Sequence, residues 1–452
     1  MSRPWAALCA LCLGFFMLLL DSTIVAVALP AIGTSLGSGL DPLVWTLTAY
    51  LLAYTAPMLL SSRLGDRFGP KRVYLTGLVL FVAASAGCGL AGSAALLIAA
   101  RAVQGLAAAL MTPQTFAFIS HLFPPARRGP ARGVWTGVAA LATVAGPVIG
   151  GLLVDGAGWR WIFFVNVPVG VLAVGLNVLF VPDWRPGRTT GFDIPGIVLS
   201  SAGLAGLVCG LQGGRVFGLA PGLVLGAGVA LLVAFVVWQR HNRRQPLVPL
   251  GVFADRNFSA GTFMGGALAF AMAGMVLPLV LYFQVTLGLS PTEAGLLNAP
   301  SALLAGALGP LVGRLTGRMS GQRFVVGGLL AFAAGLALTA WQLRPGADPW
   351  AMQPALLLSG IGIGCVFAPM STVTMSTLDP RLIPTASGVF STVRQAGGVL
   401  GTAAVGMLLQ ASGGSMADAV RVSLLLPVAV LLLGALAAAA MRTHRPHAVA
   451  AN

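Results

Sequence analysis

WAALCALCLGFFMLLLDSTIVAVAL (Trp5–Leu29) holds one acid, Asp21, and no basic residue. As a helix it is long enough to cross about 30 Å of hydrocarbon. Runs of the same kind recur to the end of the chain. The 452 residues are 57% hydrophobic and 8% charged, with mean hydropathy +0.91. Soluble proteins carry about 25% charged residues, and so few charges cannot cover a water-facing surface. The chain therefore reads as an all-α polytopic membrane protein embedded in a lipid bilayer. A soluble enzyme or a disordered tail is excluded as a whole-chain reading.

Fourteen spans are predicted. The second is Trp45–Leu64, the fourth Ala94–Ser120, the fifth Gly133–Val154 and the sixth Trp161–Val181. Ile194–Leu211 and Leu219–Trp238 follow as a pair. Among the last six are Phe258–Thr286, Trp350–Leu378 and Ala386–Ala411. With the N-terminus inside, twenty of the 26 basic residues fall on the cytoplasmic side; only Arg160, Arg215, Arg344 and Arg421 fall outside. That asymmetry places both termini in the cytoplasm. It also accounts for the net charge of +15 without a nucleic-acid partner, because the basic residues are scattered through short loops.

An internal repeat appears at an offset of 251 residues. Arg63-Leu64, Arg67, Arg72 and Gly77 recur as Arg314-Leu315, Arg318, Arg323 and Gly328. Gly137, Gly146 and Gly150 recur as Gly388, Gly397 and Gly401. The expected organisation is a six-helix bundle over 1–186, an inserted pair with its linker over 187–256, a second six-helix bundle over 257–441 and a cytoplasmic tail over 442–452. Parallel repeats with a midplane site between them are a secondary-transporter design.

Of eleven acids, only Asp21 lies well inside a span. A mid-bilayer aspartate costs about 2.5–3.5 kcal/mol on insertion scales, so it faces a cavity or a partner. Burial there disfavours the charged form, which suits a group that takes up and releases a proton. Arg101 and Gln104 share one face of the fourth span at i, i+3. An arginine keeps its proton and must find an anion or carbonyls. Arg394 and Gln395 form a weaker intramembrane site in the thirteenth span. Gly65-Asp66-Arg67-Phe68-Gly69-Pro70-Lys71-Arg72 makes a tight charged loop after the second span, a candidate gating loop. In the fifth span, Gly146 and Gly150 lie one turn apart, beside Pro147 and Gly151. Small residues so spaced let a neighbouring helix approach closely.

The four histidines lie in loops or the tail, and the five cysteines inside apolar runs, so no metal site is expected. The only lysine, Lys71, is not in a Walker loop. Transport must then draw on a gradient, with no cofactor. No cluster of His, Cys, Ser or acids assembles at one membrane depth, which argues against an embedded enzyme.

Together these segments resemble the major facilitator superfamily over nearly the whole chain. Leu64–Arg72 is similar to its loop motif between the second and third helices. Arg101-x-x-Gln104-Gly105 is similar to its fourth-helix motif, and Gly146-Pro147-x-x-Gly150-Gly151 to the fifth-helix signature of drug–proton antiporters. Leu20-Asp21-Ser22-Thr23 through Pro30, and Trp159-Arg160-Trp161 through Pro168, resemble the fourteen-helix drug:proton antiporter family. Departures are Ser62, Pro70, Ala142 and Ala26 at motif positions, and Gly317 where the first loop copy has Asp66.

The resemblance implies two six-helix bundles rocking around a central cavity, in a monomer in a bacterial cell membrane. It implies export of small hydrophobic or amphipathic drugs, antibiotics or secondary metabolites in exchange for protons. Asp21 would carry the proton and Arg101 would modulate it. A nutrient symporter of the same fold is one alternative, against which the Gly-Pro signature argues, and a non-transporting membrane receptor is another, which would need an accessory domain. Tyr50, Tyr54, Gln104, Gln114, Asn166, Asn298, Phe367 and Met370 are the expected cavity residues. No acid falls inside the spans of the second half, which argues against a multiply charged cationic substrate.

Overall fold

The computed structural model describes residues 3–185, 193–213, 219–242, 246–316, 320–344, 346–379, 382–412 and 415–441. The expected tail 442–452, the 186/187 boundary, Arg215, Gly317 and Arg318 lie outside the described residues. The first half comprises α1 (Arg3–Leu36), α2 (Leu40–Thr55), α3 (Met58–Phe68), α4 (Pro70–Gly89), α5 (Ala94–Leu122), α6 (Pro125–Ala157), α7 (Trp161–Phe164) and α8 (Asn166–Phe180). Next come α9 (Ile194–Leu211) and α10 (Pro221–His241). The second half comprises α11 (Arg256–Gly274), α12 (Val276–Leu281), α13 (Pro291–Leu315), α14 (Gly321–Gln342), α15 (Gln353–Phe367), α16 (Met370–Met375), α17 (Ile383–Ala411) and α18 (Met416–Ala439).

Among the described residues, twelve helices are long and apolar enough to cross a membrane, or thirteen if the pair α2 and α3 is one span bent by 49°. The 29-residue α17 is not among them; it carries Arg394, Gln395 and several glycines. Several expected spans are broken where a proline withholds a backbone donor. The second, expected as Trp45–Leu64, begins at Leu40 and breaks at Ala56-Pro57. The sixth breaks at Val165 ahead of Pro168. The ninth breaks at Met275 ahead of Pro278 and ends in a π turn, Tyr282–Thr286. The twelfth breaks at Ala368-Pro369.

The same packing recurs in each half. α6 lies on α1 and α17 lies on α11. A Cβ at Gly146 would overlap Thr23, and one at Gly150 would stand 2.7 Å from Ile24 Cγ1. A Cβ at Gly397 would stand 2.3 Å from the carbonyl oxygen of Gly266, and one at Gly401 2.2 Å from that of Phe270. Two of the matched glycine pairs, Gly146 with Gly397 and Gly150 with Gly401, thus bring together the same kind of helix pair twice, whereas a Cβ at Gly137 or Gly388 would meet nothing within 4 Å.

The halves meet unevenly. At the end opposite the N-terminus they share one apolar core, in which Ile24, Leu29, Val44 and Phe163 join Leu277, Phe283, Leu297 and Val420. Toward the N-terminal end each half keeps its own core, around Leu11, Tyr74 and Phe118 in one and Phe258, Phe332 and Leu431 in the other. α9 and α10 pair with each other, and α9 also contacts α2 and α17. Val208 of α9 is buried against Val399 and Ala403 of α17. α10 leaves Leu223, Val229, Val233 and Val237 exposed, an apolar face suited to lipid.

Candidate functional site

α1 carries Asp21 into the shared region, and α5 and the α7–α8 break bring its partners. Arg101 Nη1 donates to Asp21 Oδ2 at 2.5 Å. Gln104 Nε2 and Asn166 Nδ2 both donate to Asp21 Oδ1, at 2.8 and 3.0 Å. Arg101 Nη1 also donates to Gln104 Oε1 at 2.7 Å. Asp21, Arg101 and Gln104 are each 0% exposed, so the ion pair is dry. The α5 helical repeat explains the pairing within Arg101-x-x-Gln104: residues three apart share a face.

A second ring of contacts orients the first. Asn166 donates to Ser85 Oγ at 3.0 Å, and Ser85 donates to the carbonyl of Phe163 at 2.9 Å. Arg101 Nε reaches the carbonyl of Thr46 at 3.4 Å, and its guanidinium lies 4.1 Å from the centre of the Tyr50 ring. Such a cation–π contact is worth about 2 kcal/mol when desolvated. The Cys88 thiol sits 3.6 Å from Gln104 Oε1. Thr46, Ser85 and Cys88 carry no motif signal; the regular spacing of α4 and α2 places them here, and only an alignment of helix faces could have pointed to them.

The expected cavity residues divide into groups. Gln104 and Asn166 belong to the carboxylate cage. Tyr50 is 1% exposed and its hydroxyl has no hydrogen-bond partner among the described residues. Tyr54 donates to Thr112 Oγ1 at 3.0 Å. Gln114 donates to the carbonyl of Ser61 at 2.9 Å, tying α5 to α3 beside Gly65, where a Cβ would overlap the Gln114 amide. Asn298 bonds back to Ala294 of its own helix at 3.0 Å. Met370 is buried in the core of the second half, whereas Phe367 is exposed. These side chains do not converge on one pocket.

The expected tight loop over residues 65–72 is instead helical on both sides, with residues 65–68 ending α3 and residues 70–72 opening α4, and only Gly69, at φ +93°, standing between them. Lys71 Nζ donates to the carbonyls of Val178 and Val181, at 3.0 and 2.6 Å, so the cation closes the end of α8. Arg67 lies 5.4 Å from the centre of the Phe68 ring, Asp66 is half-buried and Arg72 is exposed. The fifth-helix signature has two faces. Gly146 and Gly150 meet α1, whereas Gly151 and Pro147 meet α13 of the other half. A Cβ at Gly151 would stand 2.5 Å from Thr292 Cα, and one at Gly295 2.4 Å from the carbonyl oxygen of Pro147. Nearby, Asp155 accepts from the backbone and hydroxyl of Thr292, and Gln284 donates to the carbonyl of Val27 at 2.8 Å. These contacts close the end of the molecule opposite the N-terminus.

A membrane-spanning bundle of two like halves, the first holding a buried ion pair, has the architecture of an integral membrane transporter. The profile of the Major Facilitator Superfamily matches residues 11–402 and, in a second alignment, 262–452. The chain belongs to that superfamily. It is 44% identical to an uncharacterized MFS-type transporter of Mycobacterium tuberculosis, over 89% of this chain and 70% of the relative. It is 36% identical to the tetracenomycin C resistance and export protein of Streptomyces glaucescens, over 92% of this chain and 77% of the relative. It is 31% identical to the multidrug export protein EmrB of Escherichia coli, over 87% of this chain and 78% of the relative. Its fold is similar to that of the xylose transporter XylE of Escherichia coli in an inward open conformation, with TM-score 0.69, 13% identity and 98% of both chains covered.

Proposed function

We propose that this chain is a proton-coupled exporter of small hydrophobic or amphipathic drugs, antibiotics or secondary metabolites, working by alternating access. Relatives bearing export and resistance names support the cargo class. The observation that carries the coupling is the Asp21 cage: one carboxylate, 0% exposed, held by three donors.

The mechanism follows from that cage. Arg101, Gln104 and Asn166 all donate to the carboxylate and occupy the lone pairs that a proton would need. Proton uptake then requires withdrawal of Arg101, which stays charged and must find another acceptor. The Gln104 Oε1, the Thr46 carbonyl and the Tyr50 ring already surround it and supply that refuge. Because α1 carries Asp21 and also packs against α6, a change at Asp21 is transmitted to the α6–α13 seam. Each elementary charge moved inward through 100 mV supplies about 2.3 kcal/mol.

In this reading the chain is a fourteen-span member of the drug:proton antiporter family, a monomer in a bacterial cell membrane with both termini cytoplasmic. α17 makes a full span, and α2 with α3 makes one bent span. The bundles are 1–186 and 257–441, with 187–256 inserted between them. The separated cores at the N-terminal end then correspond to an inward-facing state. No cofactor is needed beyond the proton gradient.

The test is efflux against a concentration gradient in proteoliposomes with an imposed pH difference. Asp21→Asn keeps the shape and much of the hydrogen bonding but cannot exchange a proton, and it should bind substrate without concentrating it. Wild-type accumulation by Asp21→Asn would refute the proposed coupling.

A further inference from the structure

α17 presents three faces. Val393, Gly397 and Gly401 lie against α11, with Val393 contacting Gly266. Val399 and Ala403 pack with Val208 of α9, and Gly406 meets Val44 of α2. Gly398 borders the α11 contact, beside Ala269 and Ala273, and at 3.6 residues per turn Arg394, Ser391 and Gln395 run from that edge across the arc toward the α9 and α2 contact. That arc turns toward the first half. There Gln395 approaches the Tyr54 hydroxyl, and Tyr54 is the electrostatic neighbour of Arg394.

Arg394 differs from Arg101 in one respect. Arg101 has a carboxylate, an amide oxygen, a carbonyl and a ring around it. Arg394, half-buried in the middle of a 29-residue helix, makes no hydrogen bond and no ion pair among the described residues. Among the described residues, the acids of the packed helices α11 and α2 do not supply one. On α11 the flanking Asp255 caps the helix start by accepting from Phe258 and also accepts from Thr377. On α2 the one acid, Asp41, stands at the opposite end of the helix from Tyr54. A cation held inside an apolar bundle without a counter-charge is costly, and an incoming anion would relieve that cost.

We infer that Arg394 is the anion-recognition residue of the transport site, and that the cargo is an amphiphile pairing a carboxylate or phenolate with an apolar ring system. This rests on the export reading above and gives its cargo a charge. The anionic oxygen takes the guanidinium as a charge-assisted, bidentate partner. The ring lies along the Tyr54 side of the seam. Arg394 belongs to the second half and Tyr54 to the first, so a ligand touching both draws the halves together at the end where their cores are separate. Binding thereby favours the closed state by differential contact.

The test uses purified protein in phosphatidylcholine nanodiscs with two fluorescent probes of one ring system and opposite charge, fluorescein and rhodamine 6G, read by anisotropy. Wild type should bind fluorescein about tenfold more tightly than rhodamine 6G, the scale of one charge-assisted contact. Arg394→Gln should weaken fluorescein about tenfold and leave rhodamine 6G unchanged, and Arg394→Lys should retain part of the preference. Unchanged rhodamine 6G binding also shows that the variant is folded. If Arg394→Gln alters both probes alike, or neither, the assignment is overturned. A second arm dopes the discs with phosphatidylglycerol. Undiminished fluorescein binding supports a soluble anionic cargo. Loss of fluorescein binding that needs Arg394 identifies a lipid headgroup as the occupant and overturns it. Proton-driven efflux is scored separately: its absence refutes the export reading, while Arg394-dependent fluorescein binding would still stand.

Discussion

Replacing both members of the buried pair should cost less than replacing either one. Arg101 and Asp21 meet at 2.5 Å with side chains 1% and 0% exposed. Removing one partner of such a pair costs about 3–5 kcal/mol, because the other is left as an uncompensated buried charge. In Asp21→Asn the guanidinium keeps the Gln104 oxygen and the Tyr50 ring, which offset part of this and leave a loss of about 3 kcal/mol. In Arg101→Gln the carboxylate keeps the Gln104 and Asn166 amides, and the loss is of similar size. The double variant has no buried charge, and its loss should be about 1 kcal/mol. The cycle then gives a coupling energy of about 5 kcal/mol, the difference between the summed single losses and the double loss. The assay is reversible unfolding of the four proteins in mixed micelles by sodium dodecyl sulfate titration. If the single losses simply add in the double variant, the pair is not an energetic unit and the cage reasoning fails. The double variant should be stable and yet unable to drive uphill efflux.

Three further outcomes are expected. Gly151→Leu or Gly295→Leu places a side chain where a Cβ alone already meets backbone, 2.5 Å from Thr292 Cα or 2.4 Å from Pro147 O. Either should prevent closure at the Asp155–Thr292 end, read as increased labelling of a cysteine introduced at Glu293; unchanged labelling would show that α6–α13 packing is dispensable. Gly69→Ala forces a side chain into φ +93° and should destabilise the loop by about 1–3 kcal/mol, seen as a lower melting temperature and weaker transport. Burial pulls the Asp193 carboxyl up, but Gln239, Trp238, Gly196 N and Leu247 N donate to it and together hold it below its ordinary value. A depressed folded value means stability present above the unfolded value, about 3.9, and lost as pH falls through the folded one. Wild type should therefore be more stable than Asp193→Asn at pH 7, and the gap should close below about pH 4 in unfolding midpoints.

The apolar runs, the 251-residue repeat and the single intramembrane acid were all legible without coordinates, because hydrocarbon leaves a helix no choice but to satisfy its backbone internally. Asp21, Arg101 and Gln104 could be named as a constellation since α5 spacing puts the last two on one face and a buried charge demands its opposite. Asn166 was visible too, but as an expected cavity residue. Its role depends on the break at Val165, which turns its amide toward Asp21, 145 residues away. Ser85, Thr46 and Cys88 were illegible, since a small polar residue in an apolar run looks the same whether it packs or orients a ligand. The breaks at Pro57, Pro278 and Pro369 were also missed: a hydropathy window averages over a kink, whereas a missing backbone donor acts at one residue. The fifth-helix glycines show the division most clearly. Their spacing predicts close approach by some helix. That Gly146 meets α1 within its own half while Gly151, five residues on, meets α13 of the other is decided by how the halves close over each other, and that closure depends on contacts more than a hundred residues apart in the chain.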